Sequence, residues 1–216
     1  MADKTISKAV ISRLPRYYRY LGDLNRAGVE RISSNELADL MKVTPSQIRQ
    51  DFNTFGGFGQ QGYGYNVQFL REEIGKILGV DHDHKMVVVG AGNLAHALTN
   101  YSGFNNIGFY IVGLFDTNPE RIGKKYNGLE IRSMDELKGF VEKENIDLGI
   151  LAVPVASANE AAAAMIEAGV KNIWNFVPTD LKIDISSDTI IQNEHLADGL
   201  LQLSYTITAA NESCRK

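Results

Sequence analysis

Met86-Val87-Val88-Val89-Gly90-Ala91-Gly92-Asn93-Leu94-Ala95 runs an apolar strand straight into the pattern Gly-x-Gly-x-x-Ala, and a helical pattern from Asn93 to Tyr101 follows. Each small residue in it has a physical role. Gly90 permits a tight turn, Gly92 lets backbone approach a pyrophosphate, and Ala95 lets the helix pack closely on the strand. The helix start then offers free N–H groups and the positive end of its dipole to phosphates. A glycine turn alone is weak evidence, but here a second apolar strand, Ile111 to Phe115, ends on Asp116, 24 residues beyond Gly92. That is close to where a ribose-binding acid is expected. A carboxylate there accepts from the ribose hydroxyls and repels a 2′-phosphate, which predicts NAD(H) over NADP(H).

Downstream the alternation of strand and helix continues. Further strands are expected at Leu148–Val153, Asn172–Phe176 and Thr189–Gln192, with helices at Met134–Glu144 and Ser157–Ala168. This is the pattern of a parallel sheet covered on both faces. Ligands in such sheets sit beyond the C-terminal strand ends. Val153, Pro154 and Phe176 are therefore candidates for the nicotinamide half of the site, beside Gly90, Ala91, Gly92, Asn93, Leu94, Ala95 and Asp116. Tyr101 either reaches the same region or is a half-buried packing residue. The last segment, His195 to Ala210, reads as an amphipathic helix carrying Leu196, Leu200, Leu203 and Ile207.

Upstream the pattern is helical. Ile6, Val10, Leu14, Tyr17, Leu21 and Leu24 recur at spacings of three and four, interrupted by Pro15, where a kink or a second helix start is expected. Ser33 and Glu36 have capping-box spacing before a short helix. Thr44-Pro45 then supplies an N-cap and an N1 proline for a second helix to about Phe55. Two short helices across a tight turn make a helix-turn-helix. Gly56 to Tyr65 interleaves glycine with aromatics, as a tight β-hairpin wing would, and a helix over 66–78 follows. The expected domains are 1–80, a winged helix-turn-helix, and 85–193, a Rossmann-like parallel sheet. Residues 194–212 form a closing helix. The fold class is thus α/β with an α-rich N-terminal domain.

Charge divides along the same line. Residues 1–80 carry 11 Lys or Arg against 8 Asp or Glu, a net +3; residues 81–216 carry 11 against 18, a net −7. Only the first part suits a polyanion, or else the asymmetry is that of an ordinary solvated surface. Ser46, Gln47, Arg49, Gln50 and Asn53 of the second short helix can bond base edges or phosphates. Thr44, the wing residues Phe58, Gln61 and Tyr63, and the cations Arg13, Arg16, Arg19 and Lys42 complete the candidate DNA contacts. The alternative is a small helical oligomerisation domain with polar surface residues.

No catalytic set is visible. His82 and His84 lie in the expected linker without a third metal ligand, His96 lies on the outer side of the glycine-turn helix, and only His195 is plausibly placed for proton transfer. The single cysteine, Cys214, permits neither an internal disulfide nor a cysteine-ligated metal site. With neither a membrane-length apolar run nor a signal-peptide pattern, a cytoplasmic location without membrane contact is expected. These features favour a sensor. The rivals are a small NAD-dependent oxidoreductase, which would turn over alcohols or hydroxy acids, and an acyl-CoA-binding Rossmann module.

The chain resembles the Rex family of bacterial redox-sensing transcriptional repressors over nearly its whole length. The resemblance is carried by Arg13-Leu14-Pro15 with Tyr17-Tyr18-Arg19-Tyr20-Leu21, by Gln47-Ile48-Arg49-Gln50-Asp51, and by Phe55-Gly56 to Gly62-Tyr63-Gly64-Tyr65. Gly90-Ala91-Gly92-Asn93-Leu94, Gly113-Leu114-Phe115-Asp116 and Asn175-Phe176 add to it. It implies a homodimer with an exchanged C-terminal helix, a winged helix on a palindromic double-stranded operator, and NADH/NAD⁺ as regulatory ligand, NADH releasing the DNA. By the same resemblance Arg49 contacts DNA, Arg19 is an interdomain contact and Tyr101 responds to the nicotinamide state. Three positions depart from the family pattern. Gln50 stands for a usual lysine and Gln61 for a usual arginine, each removing about one phosphate contact. His195 stands for an aspartate that pairs with the arginine matching Arg19, a role that Asp198 is placed to assume.

Overall fold

Pro15 decides where the first long helix begins, because a proline is tolerated only in a helix's first turn. The chain forms α1 (Lys8–Ile11), breaks at Ser12-Arg13, and starts α2 (Leu14–Arg26) with Pro15 in its opening turn. The computed structural model describes residues 7–55, 63–183 and 188–213. Phe58 and Gln61 of the expected wing, and Cys214, lie outside the described residues. The chain divides into two compact units, Met1–His82 and Asp83–Lys216.

In the first unit the capping box forms as its spacing requires. Ser33 Oγ accepts the Glu36 N–H at 3.1 Å and the Glu36 carboxylate accepts the Ser33 N–H at 2.7 Å, opening α3 (Ser34–Met41). Lys42 turns left-handed at φ 54°, and Thr44 Oγ1 then accepts the Gln47 N–H at 3.2 Å to open α4 (Pro45–Thr54). These two caps make the helix-turn-helix. A pairing that the sequence did not announce joins β1 (Arg31–Ile32) to β2 (Tyr65–Asn66), antiparallel. Of the expected wing, Gly56 to Tyr65, residues 56–62 lie outside the described residues. Helix α5 (Val67–Leu78) closes the unit. Leu14, Tyr17, Leu21, Leu37, Ile48, Phe52, Leu70 and Ile74 form its buried core.

The second unit is built on β3 (His84–Val89), α6 (Asn93–Thr99), β4 (Phe109–Asp116), β5 (Lys125–Tyr126), β6 (Leu129–Ser133) and α7 (Leu137–Glu144). Then come β7 (Leu148–Leu151), α8 (Ala158–Glu167), β8 (Asn172–Asn175), β9 (Ile190–Asn193) and α9 (Asp198–Ser213). The sheet order is β5-β6-β4-β3-β7-β8-β9, parallel except for β5 against β6. The chain thus winds outward from β3 through β4, then returns to its other side at β7. A crevice opens at such a reversal, beyond the C-terminal strand ends. Alternation along β3 fills both faces. Val87 and Val89 pack with Leu137, Val141, Ala162 and Met165, while Met86 and Val88 pack with Ala91, Ala95, Leu114 and Ile150. Burying each such aliphatic side chain contributes roughly 1.5–3 kcal/mol.

Several boundaries differ from expectation. Strand β7 ends at Leu151 rather than Val153, where the chain leaves the ladder to wall the crevice, and β8 ends at Asn175 rather than Phe176. Helix α6 stops at Thr99, short of Tyr101. The final helix begins at Asp198, after a turn in which the Asp198 N–H donates to His195 O at 3.1 Å. The β5–β6 hairpin was not anticipated, although Asn127-Gly128 is its turn, with φ of 47° and 82°. Both values suit the two-residue hairpin turn whose twist matches the strands.

From Asp198 to Glu212 every side chain of α9 is exposed, including Leu200, Leu201, Leu203, Tyr205 and Ile207. Among the described residues no helix is long and apolar enough to cross a membrane.

Candidate functional site

The strand β3 hands the chain to Gly90 at φ 99°, a backbone region costly to any residue with a Cβ. A Cβ there would also collide with Ala152 O and stand 2.8 Å from Val153 Cγ1. Gly92 is the opposite case: a Cβ would meet nothing within 4 Å, because the residue opens on a cavity. The cavity measures about 670 Å³. Its walls include Gly90 and Gly92 after β3, Asp116, Thr117 and Arg121 after β4, Val153 and Pro154 after β7, and Ser157, Glu160 and Ala161 at the start of α8. It therefore sits where the winding reverses.

Asp116 ties this site together. Its Oδ2 accepts the Ala91 N–H at 2.8 Å and the Arg121 guanidinium at 3.0 Å, and its Oδ1 accepts the Asn118 N–H at 2.7 Å. Burial alone would raise its pKa; the bonds from Asn118, Arg121 and Ala91 outweigh burial and hold it below the usual carboxylate value. The acid read as a ribose acceptor is thus also the brace of the glycine turn. Ala91 and Ala95 are buried behind the turn, and Asn93 and Leu94 open α6.

Two expected wall residues stand elsewhere. Tyr101 is exposed, edge-on to Phe104 at 4.9 Å, beside a separate cavity of about 250 Å³ lined by Thr99, Asn100 and Tyr110. It lies two residues beyond the end of α6. Phe176 packs on Trp174 at 4.5 Å. Conversely, Arg121 and Glu160 were missed; Arg121's position in the loop five residues after Asp116 was the available signal.

On α4, Ser46, Arg49, Gln50 and Asn53 form one exposed face, with Thr44 exposed at its start. The Arg49 guanidinium donates to Ser34 Oγ at 3.1 Å and Ser46 Oγ at 3.2 Å, which ties it to the first turns of both helices. Tyr63, before β2, is also exposed.

Gln47 and Arg13 stand in a different place from the one read for them. Asp51 is buried on the opposite side of α4, and Arg13 grips it through Nε and Nη2, both at 2.7 Å. Tyr17 Oη donates to the same carboxylate at 2.7 Å and Gln47 Nε2 at 2.8 Å. A buried carboxylate needs such partners. Burial works to raise its pKa, but the bonds from Arg13, Tyr17 and Gln47 prevail and keep Asp51 low. The Tyr17 hydroxyl is pushed up by burial and by its bond to Asp51. Arg16, read as a phosphate contact, donates to Met41 O at 2.7 Å and so ties α2 to the end of α3. Lys42 lies exposed in the turn.

Arg19 is exposed on α2, its guanidinium 5.7 Å from the Tyr20 ring centre. Asp198 opens α9, and His195 stands in the turn before it. Among the described residues no group of acids, histidines and cysteines could hold a metal ion.

A helix-turn-helix unit in one chain with a Rossmann unit whose glycine turn opens on an acid-braced cavity defines a class: DNA-binding regulators with a nucleotide-sensing domain. A family model described as a putative DNA-binding protein N-terminus matches residues 5–53, and one described as a CoA binding domain matches 81–179. The redox-sensing transcriptional repressor Rex of Caldicellulosiruptor saccharolyticus is 50% identical over 94% of this chain and 92% of its own. That of Clostridioides difficile is 50% identical over 95% and 97%. A crystal structure of RSP in complex with β-NAD⁺ and operator DNA matches with TM-score 0.89 and 46% identity, covering 97% of this chain and 96% of that one. RSP in complex with β-NADH matches at 0.87 and 43%, covering 98% of each. The chain belongs to the Rex family of redox-sensing transcriptional repressors.

Proposed function

We propose that this chain represses transcription by binding a palindromic operator through α4 and the wing, and that NADH bound in the 670 Å³ cavity releases it. The observation that carries the reading is the Asp116–Ala91 bond, which sets a ribose-accepting acid against the glycine turn. The adenosine ribose sits against Asp116, the pyrophosphate over Gly90–Gly92, and the nicotinamide towards Val153 and Pro154. Arg49, Ser46, Gln50 and Asn53 face the operator, with Thr44 and the wing residues Phe58, Gln61 and Tyr63 beside them. Arg13 and Gln47 support the reading face from behind through Asp51, and the exposed cations Arg16 and Lys42, at the end of α3, are candidates for phosphate contacts.

The titratable groups in the cavity wall are Asp116, Arg121 and Glu160, the first two engaged with each other. Such a wall binds and orients a dinucleotide and suits a regulatory ligand in a cytoplasmic protein rather than a hydride donor in turnover. The working form is a homodimer. The apolar face of α9 is exposed along its length, and exchange of this helix with a second copy would cover it. Arg19, His195 and Asp198 are the candidates for the contact that the ligand alters, and Tyr101 for a reporter of the nicotinamide state.

Reduction of the nicotinamide removes one positive charge. The two ligand forms shift the DNA-binding equilibrium only by their difference in affinity for its two states. Moving a population from 1:99 to 99:1 takes a differential of about 10⁴. Gel-shift titration of a palindromic operator with NADH and NAD⁺ in parallel tests this. Release by NADH with retention in NAD⁺ is expected, and operator affinity unchanged at saturating NADH refutes it. Tight coenzyme A binding without NADH binding would assign the cavity to the other ligand class.

A further inference from the structure

Ala91, between the two glycines of the turn, has both of its backbone polar groups bound by side chains. Its N–H donates to Asp116 Oδ2 at 2.8 Å, and its carbonyl oxygen accepts the Tyr126 hydroxyl at 3.1 Å. Asp116 ends β4, but Tyr126 belongs to the β5–β6 hairpin at the edge of the sheet. The same hairpin grips α6 at two further points. The Tyr126 ring centre lies 4.7 Å from that of His96, halfway along the helix. Asn127 Nδ2 donates to the carbonyl of Thr99, its last residue, at 2.8 Å. Two adjacent residues of one hairpin therefore hold the glycine turn, the middle of α6 and its end.

Such bracing has a physical need behind it. Helix α6 has seven residues, and its cap, Gly92, supplies no side-chain bond. A helix that short is marginal alone, so it takes its direction from what packs on it. The peptide joining Ala91 to Gly92 is planar and trans, so its C=O and N–H point opposite ways. Pinning the Ala91 oxygen on Tyr126 turns the Gly92 N–H away from the hairpin. Among the described residues that N–H has no acceptor, and Gly92 is a wall of the cavity. A donor already fixed in direction binds an anionic group without first ordering its own backbone. We propose that Tyr126 is a positioning residue for the pyrophosphate of the ligand. It acts through the Ala91 carbonyl, which sets the direction of the Gly92 N–H, and not by touching the ligand itself. The proposal rests on the cavity being a dinucleotide site.

The test is Tyr126→Phe in the full chain, which deletes the hydroxyl and keeps the ring on His96. Three probes are compared: NADH and ADP, which share the pyrophosphate, and adenosine, which lacks it. NADH and ADP are titrated by calorimetry, and adenosine is measured by its displacement of NADH. NADH and ADP affinities should fall together by about three- to tenfold, the worth of one neutral hydrogen bond, while adenosine affinity stays unchanged. A bond with a structural role alone gives a different pattern. Its loss lowers the urea midpoint reported by Trp174 on β8, but the chain remains almost wholly folded in water. Apparent affinity falls only by the competent fraction, so it would not move. NADH affinity unchanged in Tyr126→Phe, or an equal loss for adenosine, overturns the inference while the dinucleotide reading stands. Absence of NADH binding by the unsubstituted chain refutes that reading and the inference together.

Discussion

Replacing Gly90 and Gly92 one at a time by alanine separates folding from ligand binding at two positions one residue apart. At Gly90 the backbone has φ 99°, and a Cβ collides with Ala152 O and stands 2.8 Å from Val153 Cγ1. A side chain forced into that backbone region costs on the order of 1–3 kcal/mol. Overpacking against backbone that cannot move aside adds roughly 1–3 kcal/mol. Gly90→Ala should therefore destabilise the second unit by about 2–6 kcal/mol, a large part of a typical domain's stability. Gly92 has φ −87° and open space around its Cβ, so Gly92→Ala changes only a helix cap without a side chain, worth under about 1 kcal/mol. Its added methyl group instead occupies the place where a pyrophosphate must approach, and NADH affinity should fall by about 10²-fold or more. The assay is built into the sequence. Trp174, the sole tryptophan, lies on β8, so its fluorescence during urea unfolding follows the second unit. Calorimetric titration with NADH gives the affinity. Equal destabilisation by both substitutions, or full NADH affinity in Gly92→Ala, would refute the reasoning.

Asp51→Asn should destabilise the first unit by about 1–3 kcal/mol, because Arg13, partly solvated at 26% exposure, loses its charged partner. The same group fixes a pH dependence. Its folded pKa lies below the usual value, so its contribution is present above about pH 4 and is lost as pH falls through the depressed folded value. Asp116 adds to this in the second unit, and acid unfolding of Asp51→Asn should be less steep below pH 4 than that of the unsubstituted chain. Arg49→Ala, on the exposed face, should leave urea stability within about 0.5 kcal/mol and weaken operator binding by about 1–3 kcal/mol, measured by gel shift. Gln50→Lys should do the reverse, steepening the salt dependence of operator affinity by about 0.9 in log–log slope; an unchanged slope would remove Gln50 from the interface. Leu200→Glu with Leu203→Glu on α9 should shift the chain from dimer to monomer in sedimentation, and a dimer unaffected by both would exclude the helix from the interface.

Where a residue's role is local, the sequence disclosed it. Ser33 with Glu36, and Thr44 with Pro45, name their own helix starts because a cap is satisfied within four residues. The turn at Gly90 and the placing of Gly92 and Asp116 at the strand ends were readable because strand, turn and helix impose fixed positions there. Roles that depend on distant partners were not readable. Arg13 and Asp51 lie 38 residues apart, and nothing in either neighbourhood shows that one is buried and needs the other. Polar residues at helical spacing look alike from both sides of a helix, so nothing near Gln47 in the sequence announced its bond to the buried Asp51. Tyr101 lies two residues past the end of α6 and is exposed beside the smaller cavity, a placement set by where the helix stops and not by its own neighbours. Asn127-Gly128 was legible as a hairpin turn and was passed over, since strands of two and five residues carry little periodicity of their own.

Helix α4 keeps its two tasks on opposite sides: Asp51 and Gln47 turn towards the protein, and Ser46, Arg49, Gln50 and Asn53 turn away from it. Stability and recognition are therefore nearly independent characters under mutation. On the proposed reading of α4, a lineage carrying this scaffold can explore new operator sequences through four outward positions while its fold stays intact. Drift at a promoter can be answered by a single substitution in the regulator, without a compensating change elsewhere in the chain.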